Sequence, residues 1–195
     1  MRYFKISVLF LLFVLLLGCQ KEMFEANMNE KVEDFTFMTA NNTSKELSKG
    51  DLEGEYWIAN FMYTNCQAVC PMMTANLLEV QEELKSEGKE INIVSFTVDP
   101  DYDSADILLE HANSYGVDLD HWTFLTGYDF ETIQAFAAGS FKVALQQTDP
   151  GTGNDQVAHT TNFFLVNPNG KVVKKYEGVG KTGKDQLLAD FKQIK

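Results

Sequence analysis

Tyr56-Trp57-Ile58-Ala59-Asn60-Phe61-Met62-Tyr63-Thr64-Asn65-Cys66-Gln67-Ala68-Val69-Cys70-Pro71-Met72-Met73 is the stretch that decides how this chain folds. Its first eight residues form a nearly continuous apolar run rich in aromatics, as a central strand covered on both faces requires. The run passes directly into a loop carrying Cys66 and Cys70. Pro71 suits the first turn of a helix, where its missing N–H costs nothing. Met73, Leu77, Val80 and Leu84 then recur at helical spacing until Gly88 offers a stop. Cys70 precedes a proline, which steers it away from helical dihedrals and toward the N-cap. Unpaired N–H groups and the helix dipole lower a thiol pKa at such a point.

Working outward, Glu33 to Thr39 alternates Phe35 and Phe37 with polar neighbours and reads as a half-buried strand, followed by a turn region around Ser48 to Gly54. Ile91 to Val98 is a second buried strand, and Asp99 to Ser104 breaks it and caps a helix over Ala105 to Tyr115. Trp122 to Leu125 predicts a third strand, Phe130 to Ala138 a short helix and Phe141 to Gln146 an extra strand. Gln147 to Gln156 reads as a surface loop. Thr161 to Val166 and Lys171 to Tyr176 form a hairpin across Asn167-Pro168-Asn169-Gly170, and Lys184 to Ile194 closes as an amphipathic helix. The expected class is α/β, a mixed central sheet flanked by helices with a C-terminal β-hairpin and helix. A cysteine pair where a buried strand meets a helix is the thioredoxin-like arrangement.

The first residues bear on compartment. Arg2 and Lys5 precede an apolar segment, Ile6 to Gly18, too short at about 1.5 Å per residue to cross a hydrocarbon core of about 30 Å. It fits a signal peptide over residues 1–18. Its ending, Leu15-Leu16-Leu17-Gly18-Cys19, resembles the lipobox of bacterial lipoproteins. That resemblance implies cleavage after Gly18, a lipid on Cys19 and a fold held at the extracytoplasmic face of the bacterial cell membrane. Residues 19–30 read as the lipidated cysteine and a polar tether, and residues 31–195 as one domain, large enough to bury about 70% of its unfolded surface without staples. Removing the first eighteen residues takes two positive charges and no acids from a formal net charge of −12, leaving −14. Such a surface is a poor partner for nucleic acid, whose affinity comes from Lys and Arg on phosphates.

With Cys19 committed to lipid, only Cys66 and Cys70 remain, spaced C-x3-C. A disulfide closing so short a loop adds little stability, so the pair is better suited to chemistry. Two soft thiolates can form a reversible disulfide or hold Cu(I). Thiol oxidoreductases usually carry C-x-x-C, and the extra residue here leaves room for a metal. His159, 89 residues after Cys70, opens the Thr161 to Val166 strand. The segment entering the corresponding strand of thioredoxin-like folds passes beside the cysteine loop, and neutral imidazole there suits Cu(II). Asp99 and Asp103 could touch a partner, tune the site or simply cap a helix. His111 and His121 read as surface or packing residues, Met73, Trp57 and Trp122 as core, and Met72 as a residue able to flank a partner surface.

Phe61 to Met73, Phe96-Thr97-Val98-Asp99-Pro100-Asp101-Tyr102-Asp103 and His159-Thr160-Thr161-Asn162-Phe163-Phe164-Leu165-Val166 together resemble the Sco/SenC family of copper chaperones, in the family's order and spacing. The resemblance runs from about Lys31 to the C-terminus and is to the Gram-positive lipoprotein type. It implies that Cys66, Cys70 and His159 ligate copper. It also implies delivery of copper to, or reduction of cysteines at, the dinuclear copper centre of cytochrome c oxidase, with that enzyme's copper-bearing subunit as partner. Gln67 departs from the proline many relatives carry after the first cysteine. Two functions stay open, a metallochaperone that needs His159 and a thiol–disulfide reductase that needs only the cysteines. A peroxidase lacks the donor set it would need around either thiol.

Overall fold

The computed structural model describes residues 24–41, 45–148 and 156–194. Their strands are β1 (Glu30–Lys31), β2 (Thr36–Thr39), β3 (Glu46–Ser48), β4 (Trp57–Met62), β5 (Asn92–Thr97), β6 (Trp122–Thr126), β7 (Gln146–Thr148), β8 (Gln156–Ala158), β9 (Asn162–Val166) and β10 (Lys171–Glu177). The helices are α1 (Cys70–Ser86), α2 (Ala105–Tyr115), α3 (Phe130–Phe141) and α4 (Lys181–Gln193). Eight strands form one mixed sheet in the order β1-β10-β9-β4-β5-β6-β2-β3, and β7 and β8 form a separate ribbon. None of the described helices is long and apolar enough to cross a membrane.

The fully buried pattern of β4 is explained by its place at the middle of the sheet. β4, β5 and β6 are parallel, with Phe61 beside Phe96 and Ser95 beside Phe124, while β9 runs antiparallel to β4 with Ala59 beside Phe164. On one face Phe61, Phe96 and Phe164 meet Phe136 and Phe141 of α3 at ring-centroid distances of 5.2–6.3 Å. On the other, the α1 stripe of Met73, Leu77, Val80 and Leu84 is fully buried. A buried polar cluster in the middle of β4, β5 and β6 is satisfied internally: Ser95 Oγ donates to Asn60 Oδ1 at 2.6 Å and accepts from Trp122 Nε1 at 2.8 Å.

Three expectations need correction. Phe141 ends α3 instead of starting a strand, because it completes the aromatic cluster and Lys142 then adopts φ 57°, which stops the helix. The loop expected from Gln147 is entered and left through the β7–β8 ribbon, Gln146 pairing with Ala158; residues 149–155 lie outside the described residues. The tether is not free along its whole length. Phe24 is buried under Lys174, 5.6 Å from its ring, and the N–H groups of Asn27 and Met28 both donate to Val173 O, so this segment lies along β10. The signal peptide and Cys19 lie outside the described residues.

Candidate metal centre

Parallel pairing brings the C-terminal ends of β4, β5 and β6 to one end of the sheet, and the antiparallel β9 starts there. From β4 the chain turns through Tyr63-Thr64-Asn65, where the Cys66 N–H returns to Tyr63 O at 3.4 Å. Cys70 is the first helical residue, not the cap: Val69 takes that place (φ −104°, ψ −30°), and the first helical bond runs from Met73 N–H to Val69 O at 3.0 Å. Pro71 then occupies a first-turn position whose N–H would have no intrahelical partner, so starting one residue earlier costs no hydrogen bond. His159 sits between β8 and β9, on an arm fixed by Asn162 N–H to Thr160 Oγ1 (3.1 Å) and Gly178 N–H to Thr161 O (2.7 Å).

This arrangement brings Cys66, Cys70 and His159 together. One ligand atom from each lies within 4.8 Å of the others, the only such group among the described residues. Cys66 and Cys70 are buried free thiols, 7% and 1% exposed. The His159 Nδ1 faces Thr160 O at 2.7 Å. A carbonyl only accepts, so Nδ1 carries the hydrogen and Nε2 keeps its lone pair. Nε2 faces Cys70 Sγ at 3.5 Å. The backbone thus presets the tautomer that presents a donor nitrogen to the two sulfurs. Burial holds the imidazole below its usual pKa, with the Thr160 carbonyl opposing, which favours the neutral ring, the form a metal needs.

The two thiols differ, and in the sense opposite to that expected from sequence. Burial pushes the Cys70 thiol well above the usual range; the Tyr63 N–H opposes this, while bonding to Cys66 and the charges of Cys66 and Asp103 reinforce it. Cys66 is also penalised by burial, but the N–H and thiol of Cys70 and the N–H groups of Ala68 and Val69 turn toward its sulfur and leave it below the usual range. The loop folds so that the amides at the start of α1 serve the first cysteine.

Sequence reasoning missed Tyr63 as a member of this centre. Its ring packs edge-on to His159 at 5.6 Å. Burial, followed by the charge on Cys66 and hydrogen bonding to it, pushes the Tyr63 hydroxyl pKa up to about 12. A tyrosine at the end of an aromatic strand carries no signal of this role. Asp103 proves to be neither a partner contact nor a helix cap. It is fully buried, accepts the N–H and hydroxyl of Thr64 and takes the Thr97 hydroxyl at 2.5 Å. Asp99 is buried too, its carbonyl accepting from Tyr102 and Asp103, and the α2 cap is Ser104. His111 packs against Tyr115 and Phe124, and His121 lies 3.2 Å from Glu90. Met73, Trp57 and Trp122 are core.

The chain is similar to known proteins over most of its length. The SCO1/SenC family model matches residues 25–194. The SCO1 protein homolog of Bacillus subtilis is 41% identical over 182 residues, 93% of this chain and 92% of its own. A SCO1/SenC family lipoprotein from Bacillus anthracis superposes with a TM-score of 0.78 at 38% identity, covering 85% of this chain and 95% of that one. BsSco, described as a member of the Sco family of cytochrome c oxidase assembly proteins and as having a disulfide switch, gives 0.77 at 40% identity, with 89% and 97% covered. Yeast Sco1 with copper bound shares the fold at 24% identity and a TM-score of 0.67, with 84% and 89% covered. With a thioredoxin-like sheet, a C-x3-C loop at its end and a match over nearly the whole described length, the chain belongs to the SCO1/SenC family.

Proposed function

We propose that this chain binds one copper ion through Cys66 Sγ, Cys70 Sγ and His159 Nε2. In this reading it serves assembly of the dinuclear copper centre of cytochrome c oxidase, with that enzyme's copper-bearing subunit as partner. The observation that carries the reading is the donor set: two sulfurs and one imidazole nitrogen within 4.8 Å of one another, on three segments that meet at one end of the sheet. Thiolates match Cu(I) and imidazole matches Cu(II), so one site serves either oxidation state. The folded domain works at the extracytoplasmic face of the bacterial membrane, tethered by lipid on Cys19, since the lipobox-like ending supplies an anchor and the net charge disfavours anionic headgroups.

A second reading rests on the lowered Cys66 thiol beside the raised Cys70 thiol. That pairing suits thiol–disulfide exchange, Cys66 attacking and Cys70 resolving, and would keep the oxidase's copper-site cysteines reduced. Copper titration of the reduced soluble domain, beginning near Gln20, separates the two. The chaperone reading expects one ion per chain, lost when Cys66 and Cys70 are both alanine and weakened by His159→Ala. A stoichiometry near two, or binding that survives loss of both cysteines, overturns it. Rapid reduction of an oxidised oxidase peptide by a copper-free chain lacking His159 would favour the reductase.

A further inference from the structure

Four chain segments emerge at the cysteine end of the sheet: residues 63–75 after β4, 98–106 after β5, 127–131 after β6 and 157–161 before β9. None contains lysine or arginine, and neither residue occurs anywhere in 50–84, 90–141 or 143–170. The same segments expose Asp101, Asp106, Asp129 and Glu131. On the β10 flank Lys181 and Lys184 approach this end paired with Asp185 and Glu79, and Lys142 and Lys175 line a pocket shared with His159. Among the described residues the two exposed large hydrophobics are Met72, 46% exposed, and Tyr102, 51% exposed. Both lie on this rim. Met72 is in the first turn of α1, two residues beyond Cys70. Tyr102 precedes Asp103, whose carboxylate holds Thr64, two residues before Cys66.

We infer that Met72 and Tyr102, fringed by Asp101, Asp106, Asp129 and Glu131, form the surface on which a protein partner seats over the Cys66–Cys70 loop, and that this partner presents an apolar contact bordered by lysine and arginine. Helix starts explain part of the acidic fringe: Asp129 caps α3 through the Thr132 N–H at 2.8 Å, and Asp106 and Glu131 lie in first turns. That accounts for neither the absence of lysine and arginine from these four segments nor the two uncovered side chains. Single exposed hydrophobics are ordinary, but two on the segments that carry and brace one buried site supply an anchor. The acidic field around them draws in a basic surface and repels an acidic one.

The inference rests on the copper-delivery reading and takes its acceptor, the soluble copper-bearing domain of the oxidase from the same organism. Copper-loaded wild-type chain, Met72→Ser with Tyr102→Ser, and Asp101→Lys with Asp106→Lys are each mixed with that domain and, separately, with a small Cu(I) chelator. None of these residues touches the ligand atoms, so copper stoichiometry and loss to the chelator stay as in wild type. Transfer to the protein acceptor falls about tenfold or more in both double variants, and wild-type transfer slows at 0.5 M salt. Variants that hand copper to the protein acceptor at the wild-type rate, or transfer unchanged by salt, overturn the docking surface and leave the copper reading standing. A wild-type chain that neither binds nor loads the acceptor overturns both.

Discussion

The Asp103 carboxylate accepts both the backbone N–H and the side-chain hydroxyl of Thr64, across a separation of 39 residues. It thereby ties the turn after β5 to the turn that delivers Cys66. It also takes the Thr97 hydroxyl, and its own backbone carbonyl accepts from Thr126 Oγ1 at 3.0 Å, so the ends of β4, β5 and β6 are joined through one residue. Asp103→Ala strands three donors, two part-buried ones on Thr64 and the buried Thr97 hydroxyl, and is expected to cost about 2–4 kcal/mol of folding stability. Asp103→Asn retains an acceptor and should cost less than half as much. Urea denaturation of the reduced domain measures both; equal losses would show that the volume of the side chain, not its acceptors, matters.

Unequal thiols predict unequal chemistry. Cys66 lies below the usual range and Cys70 above it, so iodoacetamide at neutral pH should modify Cys66 first and leave Cys70 largely free until the fold is opened. Tyr63→Phe removes a hydroxyl that is electrostatically coupled to the Cys66 sulfur. It should raise the Cys66 pKa and slow its alkylation at pH 7 a few-fold, while stability changes by about 1 kcal/mol or less. Peptide mapping with rate measurements from pH 5 to pH 9 tests this, and faster modification of Cys70 than Cys66 would refute it.

His111 offers a pH dependence outside the metal centre. Its Nε2 is buried with no hydrogen-bond partner among the described residues, and burial holds its pKa below the usual value. The unfolded chain takes up the proton near the ordinary histidine pKa of about 6.5, whereas the folded chain takes it up only at lower pH. Between those two points the unfolded state binds more protons. This histidine therefore contributes a loss of stability as pH falls through about 6.5 toward its folded pKa. His111→Leu removes that loss and the unpaired nitrogen, and should stabilise the domain at pH 7 by about 1 kcal/mol and by more at pH 5. Thermal melts of both proteins at the two pH values give the comparison.

The buried strand, the cysteine loop and the following helix were legible because apolar run length and helical period report burial directly, as the fully covered β4 and the Met73-Leu77-Val80-Leu84 stripe show. His159 was a candidate first from its place at the entry to the Thr161 to Val166 strand and then through the family motifs. The β7–β8 ribbon was not: Gln146, Gln147 and Thr148 pair at the edge of the molecule and have no apolar alternation to announce a strand. The thiol order was hidden for another reason. Sequence places Cys70 at the helix start, but only the folded loop shows the amides of Ala68, Val69 and Cys70 turned toward Cys66. Asp103 and Tyr63 share that limit, since their partners lie far away in sequence or come from the loop's own turn.

The last prediction concerns the order in which copper and oxidation act on the pair. His159 supplies the harder donor, so His159→Ala should weaken Cu(II) far more than Cu(I), which the two thiolates retain alone. A Cys66–Cys70 disulfide removes the thiolate charge that both ions need, so oxidised chain should bind copper weakly and recover binding on reduction. Bound copper should in turn shield both thiols from alkylation, including Cys66, the faster of the two. Because the sulfurs and Nε2 fall within 4.8 Å of one another, the same small movement that closes the disulfide dismantles the metal site. Adding Cu(II) to fully oxidised domain and recording sulfur-to-copper charge-transfer absorption tests the exclusion. Little absorption before reductant and full absorption after it is the expected result. Full-strength absorption without reductant would mean that the cysteines are not the ligands and that the copper reading is wrong.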